Sequence, residues 1–252
     1  LVAYADGLGI HVRLALLGIF MLGLAVVSGI VALGLIWAVR DPEQGAHEEK
    51  GSLRDLLKMP ALWLIFPLMF VQYAPAGGLR GLWIGPYLTD VFGYDATAVG
   101  NVTLLMGVAM ILGTFAYGPL DRLLGTRKWV VLGGNAMAAV ALAVLWLVPA
   151  QTPWLPIAMF AAVGFLGASF PLMMAHGRSF FPPHLMGRGV TLMNLFAIGG
   201  VGVFQVITGR VHRSVAEAGG PAVAPYDALF AVFCLSLVAG LVLYLFCQDR
   251  TD

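Results

Sequence analysis

Charge is scarce in this 252-residue chain, and it is unevenly distributed. The chain has 14 Lys and Arg and 13 Asp and Glu, which is 11% of its residues, whereas soluble domains carry about 25%. Seven stretches of 19 to 26 residues contain no charge at all. Because about 20 apolar residues cross the hydrocarbon core of a bilayer, each stretch can form one membrane span. We therefore predict an all-α polytopic membrane protein rather than a soluble fold. The predicted spans are Leu14–Val39, Ala61–Leu79, Ala96–Leu120, Trp129–Pro149, Trp154–Ala175, Gly189–Gly209 and Ala228–Gln248.

Cysteine is rarer still, since Cys234 and Cys247 are the only two. On one helix they would lie about 20 Å apart, so they cannot form a disulfide with each other. The sequence also lacks zinc-site spacing, a phosphate-binding glycine loop and a Gly-x-Ser-x-Gly elbow. No predicted span contains a carboxylate. These absences argue against an enzyme and predict no metal and no cofactor. A net charge of +1 without a large basic cluster argues against a nucleic-acid partner.

The loops between the predicted spans differ in positive charge. Ten Lys and Arg lie on one side of the membrane and four on the other. Positive loops stay in the cytoplasm, which predicts a cytoplasmic C-terminus, a cytoplasmic 40–60 loop and an outer Leu1 in a multi-pass inner-membrane protein. An odd number of spans and a start at Leu1 rather than Met lead us to expect a piece of a longer protein.

The loop between the third and fourth predicted spans carries the most specific pattern. Its glycines allow a tight turn, and its basic residues favour the cytoplasmic side. Its Asp can pair with those bases or face the positive N-terminus of another helix. The loop resembles the signature loop of the major facilitator superfamily, which occurs between helices 2 and 3 and again between helices 8 and 9. Asp121 stands three residues after Gly118 and four before Gly125, whereas the family's Asp usually stands four after and three before. The residues that carry the resemblance are Gly118, Asp121, Arg122, Gly125, Arg127 and Lys128.

This resemblance covers essentially the whole chain and implies a domain organisation. Residues 1–39, with a helix over 14–39, would end the N-terminal half, residues 40–60 would be the cytoplasmic linker, and residues 61–252 would form the C-terminal transport bundle. The implied fold is a major-facilitator-type six-helix half-bundle plus one extra helix. The implied function is secondary active transport of a small solute by alternating access, as a symporter or antiporter. Its implied partners are the substrate, the lipid bilayer and the missing N-terminal half of the same chain.

The second predicted span is irregular, because Pro75 and the glycines up to Gly78 follow two polar residues. Such a sequence predicts a broken or kinked helix, and irregular backbone is tolerated at membrane depth only beside protein or a water-filled cavity. Arg80 either attracts an anionic substrate at the outer mouth or snorkels to the interface, and the amides either line a cavity or join helices. The candidates for the substrate cavity are Gln72, Tyr73, Arg80, Asn101, Asn194 and Gln205.

The candidate residues favour a small polar or anionic organic substrate. Two alternatives to transport stay open, a seven-helix receptor or sensor and a non-catalytic membrane module. The receptor fits seven spans with an outer N-terminus. The last span contains no Lys, which excludes a retinal Schiff base there.

Overall fold

The computed structural model of the protein describes residues 10–38, 52–149 and 151–251. The chain divides into two compact units, Leu1–Glu49 and Lys50–Asp252. This division falls inside the predicted linker, whose residues 40–51 lie outside the described part. The described part of the first unit is one helix, α1 (Ile10–Ala38). The helices of the second unit are α2 (Leu53–Leu57), α3 (Pro60–Gln72), α4 (Ala74–Gly78), α5 (Ile84–Phe92), α6 (Ala96–Leu124), α7 (Lys128–Leu147), α8 (Trp154–Leu166), α9 (Phe170–Arg178), α10 (Met186–Glu217) and α11 (Ala224–Tyr244).

All seven predicted spans are confirmed as helical segments that are long and apolar enough to cross a membrane. Several helices are longer than the charge-free blocks that predicted them. The helix α10 extends from Met186 to Glu217, whereas the block covered Gly189–Gly209. Charged residues can stand in a helix where it leaves the hydrocarbon core, so a charge-free block marks the apolar middle of a helix rather than its ends.

The short helix α2 lies at the start of the second unit, just before the second span. A capping box begins it, because the backbone N–H of Arg54 donates to Ser52 Oγ (3.3 Å) and that of Ser52 donates to Asp55 Oδ2 (2.9 Å). Leu56 is fully buried while its neighbours are exposed. The segment therefore presents one apolar anchor to the bundle.

The second span stays helical through the predicted break, but the rotation of its side chains around the helix axis changes there. The helix α3 ends at Gln72, α4 begins at once, and a π-helical turn over Leu79–Trp83 precedes α5. Pro75 is tolerated because it stands in the first turn of α4, where its missing N–H costs no helical bond. The π turn inserts an extra residue, and such bulges occur often at functional sites. Tyr87 is consequently buried while Arg80 is exposed, although the two stand seven residues apart.

The fifth span contains a break that the sequence analysis did not predict. The helix α8 ends at Leu166 and α9 begins at Phe170, with a turn over residues 167–169. The spans that contain α3 and α8 are thus both irregular, and they meet through side chains described below.

The bundle of the second unit is organised around α11, which packs against α3, α7 and α10. The helix α6 packs mainly against α8. Several helices approach closely at glycines, as expected for association in lipid, where small residues let backbones meet. Gly200 of α10 faces the backbone of Phe70, and Gly113 of α6 faces the backbone of Phe165. Cys234 and Cys247 are buried and free, as expected.

Candidate functional site

The loop between α6 and α7 contains an internal ion pair. Gly125 ends α6 in the left-handed conformation (φ 64°), which lets the chain turn directly into α7. Arg127 Nε lies 3.3 Å from Asp121 Oδ2, and both side chains are about four-fifths buried. The predicted pairing of Asp121 with a loop base is therefore found, and its partner is Arg127.

Asp249, in the C-terminal segment, caps the start of α7. Its carboxylate accepts hydrogen bonds from the Thr126 hydroxyl and from the backbone N–H groups of Arg127 (3.2 Å) and Lys128 (2.9 Å). The Lys128 ammonium donates to the backbone oxygen of Leu245 (2.7 Å). An acid at a helix N-terminus satisfies unpaired N–H groups and opposes the positive end of the helix dipole. We call residues 244–250 the C-terminal clamp, because they fasten the end of α11 to the signature loop.

A buried histidine attaches the same clamp to the end of the fifth span. The imidazole of His176 is fully buried, with Nε2 3.0 Å from the backbone oxygen of Gln248 and Nδ1 hydrogen-bonded to the Tyr244 hydroxyl. The Arg250 guanidinium lies over the ring of Phe180, 4.6 Å from its centroid. The sequence analysis did not single out Asp249 for this role. Its only signal was an acid just after the last apolar block.

Arg80 lies beside α6, about three turns from the start of that helix. A Cβ atom built on Gly107 would lie 3.4 Å from Arg80 Nε, so the guanidinium covers that glycine of α6. Gly107 follows Ala96, the start of α6, by 11 residues, or about 16 Å along the helix. Arg80 is exposed and makes no ion pair or hydrogen bond with the residues that the structure describes.

Two amides on α10 share one exposed face of that helix. Gln205 stands near the segment that carries Arg80, because Thr208, three residues on, accepts a hydrogen bond from Trp83. Asn194 lies farther along, because Phe196 stacks on Phe66 of α3. Asn194 and Gln205 are 11 residues apart, about three turns, and both side chains are exposed. Val201 stands on the same face and touches the α4 segment, because a Cβ on Gly77 would lie 3.4 Å from its Cγ1. The helices α6 and α10 therefore flank the irregular segment that carries Arg80. We call the exposed side chains of Arg80, Asn194 and Gln205, with half-buried Tyr73, the polar face.

A sequence model of the Major Facilitator Superfamily matches residues 7–205 and, in a second match, residues 79–252. The chain belongs to the major facilitator superfamily. Its helical bundle is similar to the inward-open xylose transporter XylE of Escherichia coli, with a TM-score of 0.57 and 15% identity over 75% of this chain and 47% of that one. A double-tryptophan variant of XylE matches with a TM-score of 0.54 and 16% identity, over 75% of this chain and 44% of that one. At this identity the likeness shows the fold alone.

Among curated proteins, AraJ of Escherichia coli (strain K12), which is named as a transporter, is 27% identical over 131 residues. That match covers 50% of this chain and 33% of AraJ. The chain thus spans between a third and a half of the length of the relatives it matches.

Two of the six cavity candidates do not lie on the polar face of this superfamily member. Gln72 is buried, and its Oε1 accepts from Ser169 Oγ (3.2 Å), whose oxygen accepts from Asn135 Nδ2 (2.8 Å). This chain of hydrogen bonds joins α3 and α7 at the turn between α8 and α9. Asn101 is exposed on α6 about 120° around the helix from Gly107, and therefore away from Arg80.

Replacing Asp249 with Asn is expected to lower the stability of the protein at pH 7 by about 1 kcal/mol, a small figure because solvent screens the partly exposed carboxylate. Burial raises the pKa of Asp249, but the hydrogen bonds from Thr126, Lys128 and Arg127 outweigh it, and the pKa lies below its ordinary value. A lowered pKa means that the charged clamp stabilises the fold above about pH 4 and stops doing so as the pH falls through the folded-state pKa. The unfolding temperatures of the parent protein and of Asp249→Asn should therefore become equal in acid.

The matched control for this prediction is Glu217→Gln, which also neutralises an exposed acid but at the end of α10. Hydrogen exchange of residues 245–250 should quicken in Asp249→Asn and not in the control. Equal exchange in both variants would contradict the clamp.

Proposed function

We propose that the full protein is a secondary transporter that moves a small polar or anionic organic solute across an inner membrane by alternating access. The observation that carries this proposal is the position of Arg80. A cation about 16 Å inside the bundle end is costly in a membrane, of order 3 kcal/mol, and such residues face a cavity or a partner charge. Because the described residues supply no such partner, an anionic group of the solute is the charge that would pair with it.

The surroundings of Arg80 support a solute cavity. The amide of Gln205 and the phenol of Tyr73 can donate and accept hydrogen bonds around a molecule bound near Arg80, and Asn194 continues the polar face about 16 Å farther along α10. The π turn gives the segment a backbone irregularity at membrane depth, where transporters build binding sites from broken helices. Aromatic contact between Tyr73 and Phe170 (ring centroids 6.0 Å apart) links the same region to α9.

The burial of the spans supports the proposed assignment of residues 61–252 to one half of a two-half transporter. In their most apolar stretches, α6 and α10 bury only 17% and 22% of their residues, against 44% or more in the other spans of the second unit. We propose that the N-terminal half of the same protein covers part of these two faces and closes the cavity over the polar face. The excess of Lys and Arg places the signature loop and the C-terminal clamp on the cytoplasmic side in this proposal.

The test is uptake by the full-length protein in liposomes. We expect saturable uptake of at least one class of small organic anion or polar solute, and accelerated exchange when the same solute is loaded inside, because a carrier that alternates returns faster when occupied. Uptake limited to apolar drugs would overturn the substrate class. Transport that does not saturate and shows no exchange would overturn alternating access.

A further inference from the structure

A cavity between the start of α2 and the first turns of α10 belongs to neither the polar face nor the C-terminal clamp. Its volume is about 670 Å³. The helix α2 contributes Leu53 to its wall, and α10 contributes side chains from Arg188 to Leu195. Leu195 follows Asn194 of the polar face by one residue, about 100° around the helix, so the cavity opens on a different side of α10.

Three features place this cavity at the level of the lipid headgroups. The helix α2 exposes Leu53 and Leu57 four residues apart on one face, as expected of an amphipathic segment in the plane of the membrane surface. Trp63 Nε1 donates to the backbone oxygen of Leu57 (2.8 Å), and tryptophan is enriched at the membrane interface. The charge-free block of α10 begins at Gly189, directly after Arg188. The cavity therefore spans the boundary between the headgroups and the hydrocarbon.

The wall of the cavity changes from polar to apolar along α10. Arg188 and Thr191 come first, and Leu192 and Leu195 follow, with Leu195 about 10 Å farther along the helix than Arg188. A phospholipid changes in the same order, from a charged headgroup to apolar acyl chains. The cavity therefore matches the upper part of a lipid molecule better than a soluble anion, for which an apolar wall would serve no purpose.

The same end of the bundle carries positive charge without acidic partners. Arg54, Lys58 and Arg188 are exposed, and none of them forms an ion pair with the residues that the structure describes. Asp55, the single acid of α2, accepts a hydrogen bond from the backbone N–H of Ser52 (2.9 Å) in the helix cap. Basic pockets between membrane helices at this depth bind anionic lipid headgroups, and each further Lys or Arg strengthens the attraction.

We propose that this cavity binds an anionic phospholipid from the leaflet at this end of the bundle. The guanidinium of Arg188 binds the phosphate, for which its planar fork offers two parallel hydrogen bonds. Leu192 and Leu195 contact the upper part of the acyl chains, while Arg54 and Lys58 attract the negative headgroup from α2. The bound lipid fastens α2 to the start of α10. This site goes beyond the proposed function and does not depend on transport.

The site is tested by native mass spectrometry of the full-length protein, which is stripped of lipid in detergent and titrated with phosphatidylglycerol or with phosphatidylcholine of the same acyl chains. Both lipids contain a phosphate, but only phosphatidylglycerol has a net negative charge. We expect the parent protein to bind phosphatidylglycerol more tightly. Arg188→Gln should weaken this binding by about tenfold, the loss that corresponds to one hydrogen bond to a charged group, and should remove most of the preference.

Two further variants separate the cavity from a general effect of charge. Arg213→Gln is the matched control, because it removes the same charge from an exposed position near the other end of α10, and its binding of phosphatidylglycerol should equal that of the parent protein. Thr191→Phe keeps every charge but places a ring in the cavity, so it should weaken the binding. Unchanged binding in Arg188→Gln, or in Thr191→Phe, would overturn the site.

Glycerol 3-phosphate distinguishes a lipid from a soluble anion at the same cavity. We expect that it does not displace phosphatidylglycerol at equal concentration, because it lacks the acyl chains that contact the two leucines. Equal competition would overturn the lipid as the occupant. A parent protein without any preference for phosphatidylglycerol would also overturn the proposal, as expected if another part of the chain fills the cavity. The assay does not measure uptake, so failure of the lipid site and failure of the proposed function are seen separately.

Discussion

Replacing Gly200 with alanine is expected to destabilise the protein by about 3 kcal/mol or more, the largest loss of stability that we predict. A Cβ atom at this position of α10 would overlap the carbonyl oxygen of Phe70 and lie 2.8 Å from its carbonyl carbon. Both atoms belong to the backbone of α3, so no side-chain rotation relieves the overlap. The two helices must separate, and overpacking that forces side chains and backbone to shift costs about 1–3 kcal/mol and occasionally more.

The matched control stands two residues away on the same helix. Gly202 is exposed, and nothing lies within 4 Å of a Cβ built there. Gly202→Ala should be as stable as the parent protein or more so, because alanine favours a helix over glycine by up to about 1 kcal/mol. Thermal unfolding of the three proteins in one detergent measures the difference. Equal unfolding temperatures for Gly200→Ala and Gly202→Ala would contradict the close approach of α3 and α10.

The seven spans were predictable because the cost of charge in a bilayer separates apolar from charged residues along the chain. This free-energy cost depends on each residue type and not on tertiary contacts, so the spans can be recognised in one sequence. Pro75 and the glycines that follow it indicated an irregular helix here. The irregularity is a π-helical turn over Leu79–Trp83, which rotates the following side chains around the helix axis and does not end the helical segment. The break between α8 and α9 has a weaker signal, one glycine and one serine in an apolar block.

The C-terminal clamp could not be predicted, because it joins residues 68 to 123 positions apart. Nothing about Asp249 in the sequence indicates that it meets the N–H groups of Arg127 and Lys128. The same reason explains Gln72, whose role depends on Ser169, 97 residues away. An amide in a predicted span can face a cavity or join helices, and only the packing decides between these alternatives.

The contact of Arg80 with α6 was also hidden, because the sequence suggested only an arginine at the outer mouth or at the interface. Its position depends on the pairing of α6 with the irregular segment, and this pairing puts the guanidinium over Gly107. That contact favours our proposal that Arg80 binds the solute. The consequence is a large expected effect on transport.

Replacing Arg80 with alanine should raise the KM for an anionic solute by about 10- to 100-fold in the liposome assay. A hydrogen bond to a charged group contributes about 1.5–3 kcal/mol, and 1.4 kcal/mol corresponds to a factor of ten in affinity. Arg80→Lys keeps the charge but loses the planar fork that binds a carboxylate with two hydrogen bonds, so its KM should lie between those of the parent protein and the alanine variant. For a neutral solute carried by the same protein, neither change should raise the KM comparably.

Two further variants separate binding by Arg80 from a general effect of positive charge. Arg213→Ala removes an exposed arginine near the end of α10, and it should leave the KM within about twofold because solvent screens such a charge. Gly107→Ala keeps every charge but adds a methyl group in contact with Arg80 Nε (3.4 Å), so it changes the surface on which the guanidinium lies. A raised KM in Gly107→Ala, with Arg213→Ala unchanged, would locate the anion at the contact between the irregular segment and α6. An unchanged KM in Arg80→Ala would mean that the solute does not bind this arginine, and the polar face would lose its place in the proposed cavity.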